Sequence, residues 1–92
     1  MKGAIQMNKE EYTKLYNDEI EFLNSINILE LIEDRQDLWD LMQFIEEKYS
    51  KDYYEGIIFN CISMIEFGDY LQKRYSNEIY IQEHTEYRIH LK

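Results

Sequence analysis

The chain has 92 residues, a length that suits one folded domain spanning residues 1–92. Hydrophobic residues make up 45% of it and aromatic residues 15%, which excludes a disordered acidic tail. The net charge of −9 argues against direct binding to nucleic acid or membrane phosphates, and it favours basic protein surfaces as partners.

The cellular setting follows from what the sequence lacks. There is no apolar run long enough to span a membrane and no basic-then-apolar signal sequence at the start. Cys61 is the only cysteine, so an internal disulfide is impossible. We therefore expect a soluble protein of a reducing cytoplasm.

The first predicted element is a helix over residues 9–24. Residues 1–7 show no periodic pattern and are expected to form a frayed arm. Asn8 and Glu11 have the spacing of an N-cap residue and the carboxylate that returns to it. Apolar residues then recur every three or four positions along one face: Tyr12, Leu15, Tyr16, Ile20 and Leu23.

A turn is predicted at residues 24–27, and a second apolar helical face follows it to about residue 49. Arg35 falls in the middle of that face, where an unpaired arginine would be costly to bury. We therefore predict a bend or break near Asp34, with Asp34 as the candidate cap of the second segment. The face consists of Ile28, Leu31, Ile32, Leu38, Trp39, Met42, Ile45 and Tyr49.

A third helix is predicted from a cap at Ser50 to about Tyr75. The β-branched run over residues 57–65 also fits a strand, and periodicity alone does not decide between the two. Helix is favoured because the apolar spacing of three and four residues continues on both sides of the run.

The C-terminal segment changes to an alternating pattern that predicts a β-hairpin. A three-residue loop, His84 to Glu86, would pair Ile81 with Ile89 and Ile79 with Leu91, keeping the apolar side chains on one face. A hairpin alone is marginal in water, so this face should dock on the helices. The predicted fold class is α+β, with three or four helices followed by a C-terminal hairpin in one compact domain.

Negative charge is concentrated in the first half of the chain. Residues 10–47 carry twelve acids against two bases. On an ideal helix, five of these carboxylates would share the outward face over roughly 15 Å, about one charge every 3 Å, which is close to the charge spacing along one DNA strand. They are Glu30, Glu33, Asp34, Asp37 and Asp40, and acids of the first helix, Glu11, Asp18 and Glu21, would extend the patch.

The alternative interpretation is that this face is simply the solvated side of an amphipathic helix. The functional interpretation gains weight because like charges three and four residues apart destabilise a helix, and compensating lysines are missing. Tyrosine is also abundant, with nine copies. We expect Tyr12 and Tyr16 to serve the core, and Tyr53, Tyr54 and Tyr80 to be exposed for partner binding.

No catalytic or metal-binding signature stands out. His84 and His90 lie six residues apart with no further ligand at a suitable spacing, and phosphate loops, nucleophile elbows and dinucleotide fingerprints do not occur. We expect a protein that is not an enzyme and uses no metal or cofactor.

The chain resembles the acidic DNA-mimic inhibitors of phages and plasmids. The segment ISMIEFGDYLQKRYSNEIYIQEHTEYRIHLK contains Phe67-Gly68-Asp69-Tyr70-Leu71 before two closing strands, which is similar to a stretch near the end of ArdA-type antirestriction proteins. Its size, acidity and rich use of Ile, Lys, Asn, Glu and Tyr resemble those of anti-CRISPR proteins. The resemblance implies an inhibitor that acts in a host bacterial cell.

We therefore expect a non-catalytic inhibitor that occupies a basic, nucleic-acid-binding surface of a bacterial defence nuclease or CRISPR effector, with the five central carboxylates as phosphate surrogates. The main alternative is an immunity-type or antitoxin-type partner that masks a cognate toxin through a Tyr-rich patch. A third possibility is a small helical oligomer, such as a homodimer, that pairs through an apolar edge.

Overall fold

The computed structural model describes residues 8–49, 58–82 and 87–92. Within these ranges, three α-helices and a three-stranded antiparallel sheet confirm the α+β prediction. The elements in chain order are α1 (Lys9–Ser25), a 3₁₀ helix (Ile28–Leu31), β1 (Gln36–Asp37), α2 (Leu38–Tyr49), α3 (Met64–Arg74), β2 (Ile79–Gln82) and β3 (Arg88–Leu91). The predicted arm at residues 1–7 lies outside the described residues.

The first helix forms as predicted and extends one residue further. The Asn8 side chain accepts a hydrogen bond from the Glu11 backbone N–H at 2.8 Å, which satisfies one of the free donors of the first turn. The last turn has no basic residue of its own. Its carbonyl end is instead capped from α3, where Arg74 donates to the carbonyl oxygens of Leu23 at 2.8 Å and Ile26 at 2.9 Å.

The predicted break near Asp34 is confirmed, because the 3₁₀ helix ends at Leu31 and α2 begins only at Leu38. Arg35 has a positive φ of 65°, a left-handed conformation that reverses the chain direction and ends helical continuation. The prediction that Asp34 caps the second helix is wrong. The chain passes through β1 first, so Asp37 takes that position and its Oδ1 accepts from the Trp39 N–H at 2.9 Å.

The third helix is shorter than predicted. It begins at Met64, where Ser63 and Glu66 form a full capping box. Residues 58–63 are neither helix nor strand, because the backbone N–H groups of residues 58–62 donate to side-chain carboxylates instead of backbone carbonyls. The proposed cap at Ser50 lies outside the described residues.

The hairpin register is confirmed, with Ile81 opposite Ile89 and Ile79 opposite Leu91. The predicted loop at His84–Glu86 lies outside the described residues. A third strand, β1, pairs antiparallel with β3 and gives the sheet order β1-β3-β2. A strand of two residues is too short to show an alternating pattern, so β1 could not be predicted from the sequence.

Side chains cover open edges of this sheet. The Gln72 amide of α3 donates to the Ile79 carbonyl oxygen at 3.2 Å and accepts from the Ile81 N–H at 2.8 Å, so it bonds to β2 as a neighbouring strand would. Beyond the short β1, Asp34 Oδ1 accepts from the Leu91 N–H of β3 at 2.9 Å. Backbone groups that would otherwise attract another strand are thus satisfied internally.

One hydrophobic core lies between the helices and the inner face of the sheet. At Gly68 of α3, a Cβ atom would lie 3.1 Å from Leu38 Cδ2 of α2, so a larger residue there would press on the Leu38 side chain. Across residues 8–49, 58–82 and 87–92, no helix combines the length and the apolar character needed to cross a membrane. The largest fully buried side chains are Phe67, Leu23, Ile28, Leu38, Leu41, Ile45, Leu71, Ile79 and Ile89.

Candidate partner-binding surface

The outward face of α2 exposes two aromatic side chains, Trp39 at 53% and Phe44 at 44% of their surface. At about 100° per residue, they flank the exposed Asp40 and Gln43 on the side opposite the core. The prediction that Trp39 joins the apolar face is wrong. The buried face of α2 consists of Leu38, Leu41, Met42 and Ile45, which leaves Trp39 on the opposite side of the helix.

A cavity of about 310 Å³ adjoins this face where Phe44 meets the 3₁₀ helix and the segment after it. Leu31 contributes an apolar wall, and the exposed residues Glu30 and Glu33 contribute carboxylates. The Gln36 side chain also lines the cavity, and its Oε1 accepts from the Glu33 N–H at 3.0 Å, which fixes the backbone there.

We call these residues together the acidic–aromatic surface: Trp39, Asp40, Gln43, Phe44, Glu30 and Glu33. Exposed aromatic rings are the side chains that most often anchor protein interfaces, and carboxylates around them select a basic partner. The surface therefore combines an anchor with a charge preference.

The five carboxylates predicted to form one ridge do not lie on a common helix. Glu30 belongs to the 3₁₀ helix, Glu33 and Asp34 to the connection after it, Asp37 to β1 and Asp40 to α2. The left-handed residue between Asp34 and Asp37 interrupts the helical geometry on which the prediction depended. The even spacing of one charge every 3 Å or so is therefore lost.

Two of the five carboxylates help to hold the fold together. Asp34 accepts from the β3 backbone and Asp37 caps α2. The other three, Glu30, Glu33 and Asp40, are exposed and form no ion pair with any residue in the part of the chain that the structure describes. These three carry the charge of the acidic–aromatic surface.

The other predicted site residues are distributed differently. Glu11, Asp18 and Glu21 are exposed on α1, and Asp18 forms an ion pair with Lys14 at 3.0 Å. Tyr53 and Tyr54 lie outside the described residues.

The predictions for the other tyrosines have mixed outcomes. Tyr80 is 51% exposed, as predicted, and Tyr16 is half-buried and packs against the core. Tyr12 is 43% exposed, so its predicted place in the core is wrong. Its ring stacks on Tyr16, with the two centroids 6.4 Å apart.

Sequence reasoning missed two structural carboxylates. Glu19 is only 6% exposed and accepts backbone hydrogen bonds from Asn60, Cys61 and Ile62 at 3.1–3.2 Å. Glu46 Oε2 accepts from two further backbone N–H groups, those of residues 58 and 59, at 3.1 Å. Five consecutive backbone donors are therefore satisfied by two side chains.

The sequence did contain a signal for Glu19. It lies three residues after Tyr16 and four before Leu23, in the centre of the apolar face of the first helix. An acid at such a position must be partnered or the helix would be unstable. No comparable signal marks Glu46, because its backbone partners are not visible in a pattern of residue types.

Residues 58–62, whose backbone N–H groups bond to Glu19 and Glu46, form the clamped segment. This segment does not create a reactive centre. Burial, together with the negative charge of Glu19, raises the pKa of the Cys61 thiol above its ordinary value, which favours the unreactive neutral form. Among the described residues, no group of three histidine, cysteine or acidic side chains is arranged to hold a metal ion.

Comparison of the chain with protein-family models, with curated proteins and with solved structures gave no significant match.

Proposed function

We propose that this protein is a non-catalytic acidic inhibitor that occupies a basic, nucleic-acid-binding surface of another protein. A bacterial defence nuclease or a CRISPR effector complex is the partner class proposed, and the host bacterial cytoplasm is the proposed location. The observation that carries the proposal is the acidic–aromatic surface, where Trp39 and Phe44 are exposed beside three carboxylates.

The charge distribution supports a basic partner. Glu30, Glu33 and Asp40 have no cation paired with them among the described residues, and the whole chain carries a net charge of −9. Such a field accelerates encounter with a positively charged surface and repels nucleic acid itself. A groove lined with lysine and arginine for phosphate binding has the matching sign.

The aromatic residues change how this inhibition would work. A regular row of carboxylates would compete with DNA by charge alone, whereas Trp39 and Phe44 add buried apolar contact once a partner covers them. The proposed binding surface therefore consists of two aromatic anchors surrounded by carboxylates. It does not reproduce the even charge spacing of a phosphate backbone.

The exposed rings also favour a second candidate function, the masking of a cognate toxin. In that case Trp39 and Phe44 would dominate the affinity, and salt would matter less because the contacts are mainly apolar. Competition with nucleic acid distinguishes the two candidate functions. DNA would not release a toxin that this protein binds at a surface other than its nucleic-acid site.

The test uses purified restriction nucleases and guide-loaded CRISPR effectors as probes, with binding measured by interferometry at several salt concentrations. We expect a member of this panel to bind and to be released by excess 30-base-pair duplex. The absence of binding across the panel, or binding that duplex does not displace, would contradict the proposal.

Two triple variants with equal change in charge locate the binding surface. Replacement of Glu30, Glu33 and Asp40 by the corresponding amides should weaken binding roughly tenfold, or about 1.4 kcal/mol. The matched control replaces the exposed Glu10, Asp69 and Glu78 in the same way and should bind nearly as well as the original chain. Equal losses in both variants would show that net charge, and not this surface, determines binding.

A further inference from the structure

The cavity beside Phe44 is large enough to admit one side chain of a partner. Its volume of about 310 Å³ lies at the lower end of the roughly 300–1,000 Å³ range of ligand pockets. Its walls come from the 3₁₀ helix and the connection after it, from β1 and from α2, and the hydrogen bond between Gln36 and the Glu33 N–H fixes one wall. The cavity is therefore formed before any partner arrives.

The lining of this cavity combines apolar side chains, carboxylates and the neutral amide of Gln36. Leu31 and the exposed ring of Phe44 provide apolar surface, while Glu30 and Glu33 provide two carboxylates. Arg35 is the nearest cation in the sequence, and within the described ranges it forms no ion pair with either glutamate. An occupant must therefore supply positive charge together with a flat surface that stacks on an aromatic ring.

We propose that this cavity binds an arginine side chain of the partner, an inference that rests on the proposed function. A guanidinium group is planar, stacks on aromatic faces and forms paired hydrogen bonds with carboxylates. A lysine ammonium group is a compact, strongly hydrated point charge, so it gains less from the Phe44 ring.

This choice of ligand also accounts for inhibition. Arginine is one of the main side chains with which nucleic-acid-binding proteins contact phosphates and guanine bases. An arginine held in the cavity between Glu30, Glu33 and Phe44 is withdrawn from its nucleic-acid contact. Recognition of one such side chain also gives selectivity that charge alone does not provide.

The test compares two labelled eight-residue peptides of equal charge, one containing four arginines and the other four lysines, by fluorescence anisotropy at low salt. The original chain should bind the arginine peptide about fivefold more tightly. Phe44→Leu keeps apolar volume but removes the ring, so it should abolish that preference and leave the affinity for the lysine peptide within about twofold. Combined Glu30→Gln and Glu33→Gln should weaken binding of both peptides.

Tyr80→Leu is the matched control, because Tyr80 is a similarly exposed aromatic residue on β2 that lies outside the acidic–aromatic surface and does not line this cavity. It should retain the arginine preference. Amide chemical-shift changes on peptide addition should concentrate at residues 30–36 and at Phe44, and the unperturbed remainder of the spectrum reports that the variants are folded. Equal binding of the two peptides by the original chain, or equal loss of preference in both aromatic variants, would overturn the inference.

The two proposals fail in different ways. If a nuclease is bound and is displaced by duplex but no arginine preference exists, the proposed function stands and the arginine cavity is refuted. If the preference exists and disappears in Phe44→Leu, while no nuclease of the panel binds, the cavity is supported and the class of partner must be another arginine-bearing protein.

Discussion

Both carboxylate oxygens of Glu19 lie 3.1 Å from the backbone nitrogen of Cys61, although the two residues are 42 positions apart in the chain. Glu19 also accepts from the N–H groups of Asn60 and Ile62. Hydrogen bonds to a charged acceptor contribute more than neutral ones, and unsatisfied buried donors are costly. This one carboxylate therefore fixes the segment before α3.

Glu19→Gln should lower the free energy of unfolding by roughly 2–3 kcal/mol, because the amide loses the charge and turns a donor toward backbone donors. Urea denaturation followed by circular dichroism measures the change. Glu21→Gln, an exposed position on the same helix, should remain within about 0.5 kcal/mol of the original chain. If the two variants proved equally stable, the carboxylate clamp would have no energetic importance.

The thiol of Cys61 should react slowly with alkylating reagents at neutral pH. Burial is the largest cause of its raised pKa, and the charge of Glu19 adds to it. The pH profile of the iodoacetamide reaction should therefore have a higher midpoint in the folded protein than in urea. Coincident midpoints would contradict the prediction.

The same shift has a consequence for stability. Because the pKa in the folded state is raised, folding favours the neutral thiol, and this contribution is fully present below the ordinary value of 9.0. It is lost as the pH rises through the higher pKa of the folded state. Unfolding free energies measured on the alkaline side should fall more steeply for the original chain than for Cys61→Ala.

Gln72 should protect the β2 edge as well as stabilise it. Gln72→Ala removes the bonds to the Ile79 carbonyl and the Ile81 N–H, which should cost roughly 1–2 kcal/mol. The uncovered edge should also increase self-association, which sedimentation velocity detects. Lys73→Ala, at the exposed neighbouring position, should change neither property. A monomeric Gln72→Ala variant with unchanged stability would refute this role.

Arg74 should not be replaceable by lysine. Its guanidinium group bonds two carbonyl oxygens at the end of α1 and also donates to the Tyr70 hydroxyl at 2.8 Å. A single ammonium group does not reproduce this fork, so Arg74→Lys should cost about 1–2 kcal/mol in urea denaturation. Lys73→Arg serves as the reverse exchange at an exposed site and should be neutral. If Arg74→Lys left the free energy of unfolding unchanged, a positive charge at this position would be sufficient to cap α1.

Features with local causes were predicted from the sequence. The Asn8 cap, the helix that follows it and the break before α2 are set by residues within a few positions of one another. The hairpin register was also predictable from the sequence, because a slip by one residue would have turned Ile79 and Ile81 away from the core.

Features with distant causes were not predicted. Residues 58–63 have the apolar spacing of a helix, but Glu19 and Glu46 offer their backbone donors stronger acceptors than helix formation would. The acidic ridge was misplaced for a related reason, since its regular spacing assumed one helix across Arg35, where the chain turns. Of the five carboxylates of that ridge, Glu30 and Glu33 line one cavity together with Phe44.

The bonds between the two halves of this chain suggest a route to fragment complementation. Residues before Tyr49 supply the acceptors Glu19 and Glu46 and the strand β1, while residues from Ile58 onward supply the clamped donors and β3. A chain cut between Tyr49 and Ile58 yields an acidic fragment and a nearly neutral one. The first fragment has the carboxylate acceptors, and the second has the backbone donors that bond to them. We expect such a pair to assemble from separate polypeptides, and two proteins fused to the fragments would then promote that assembly when they lie close together.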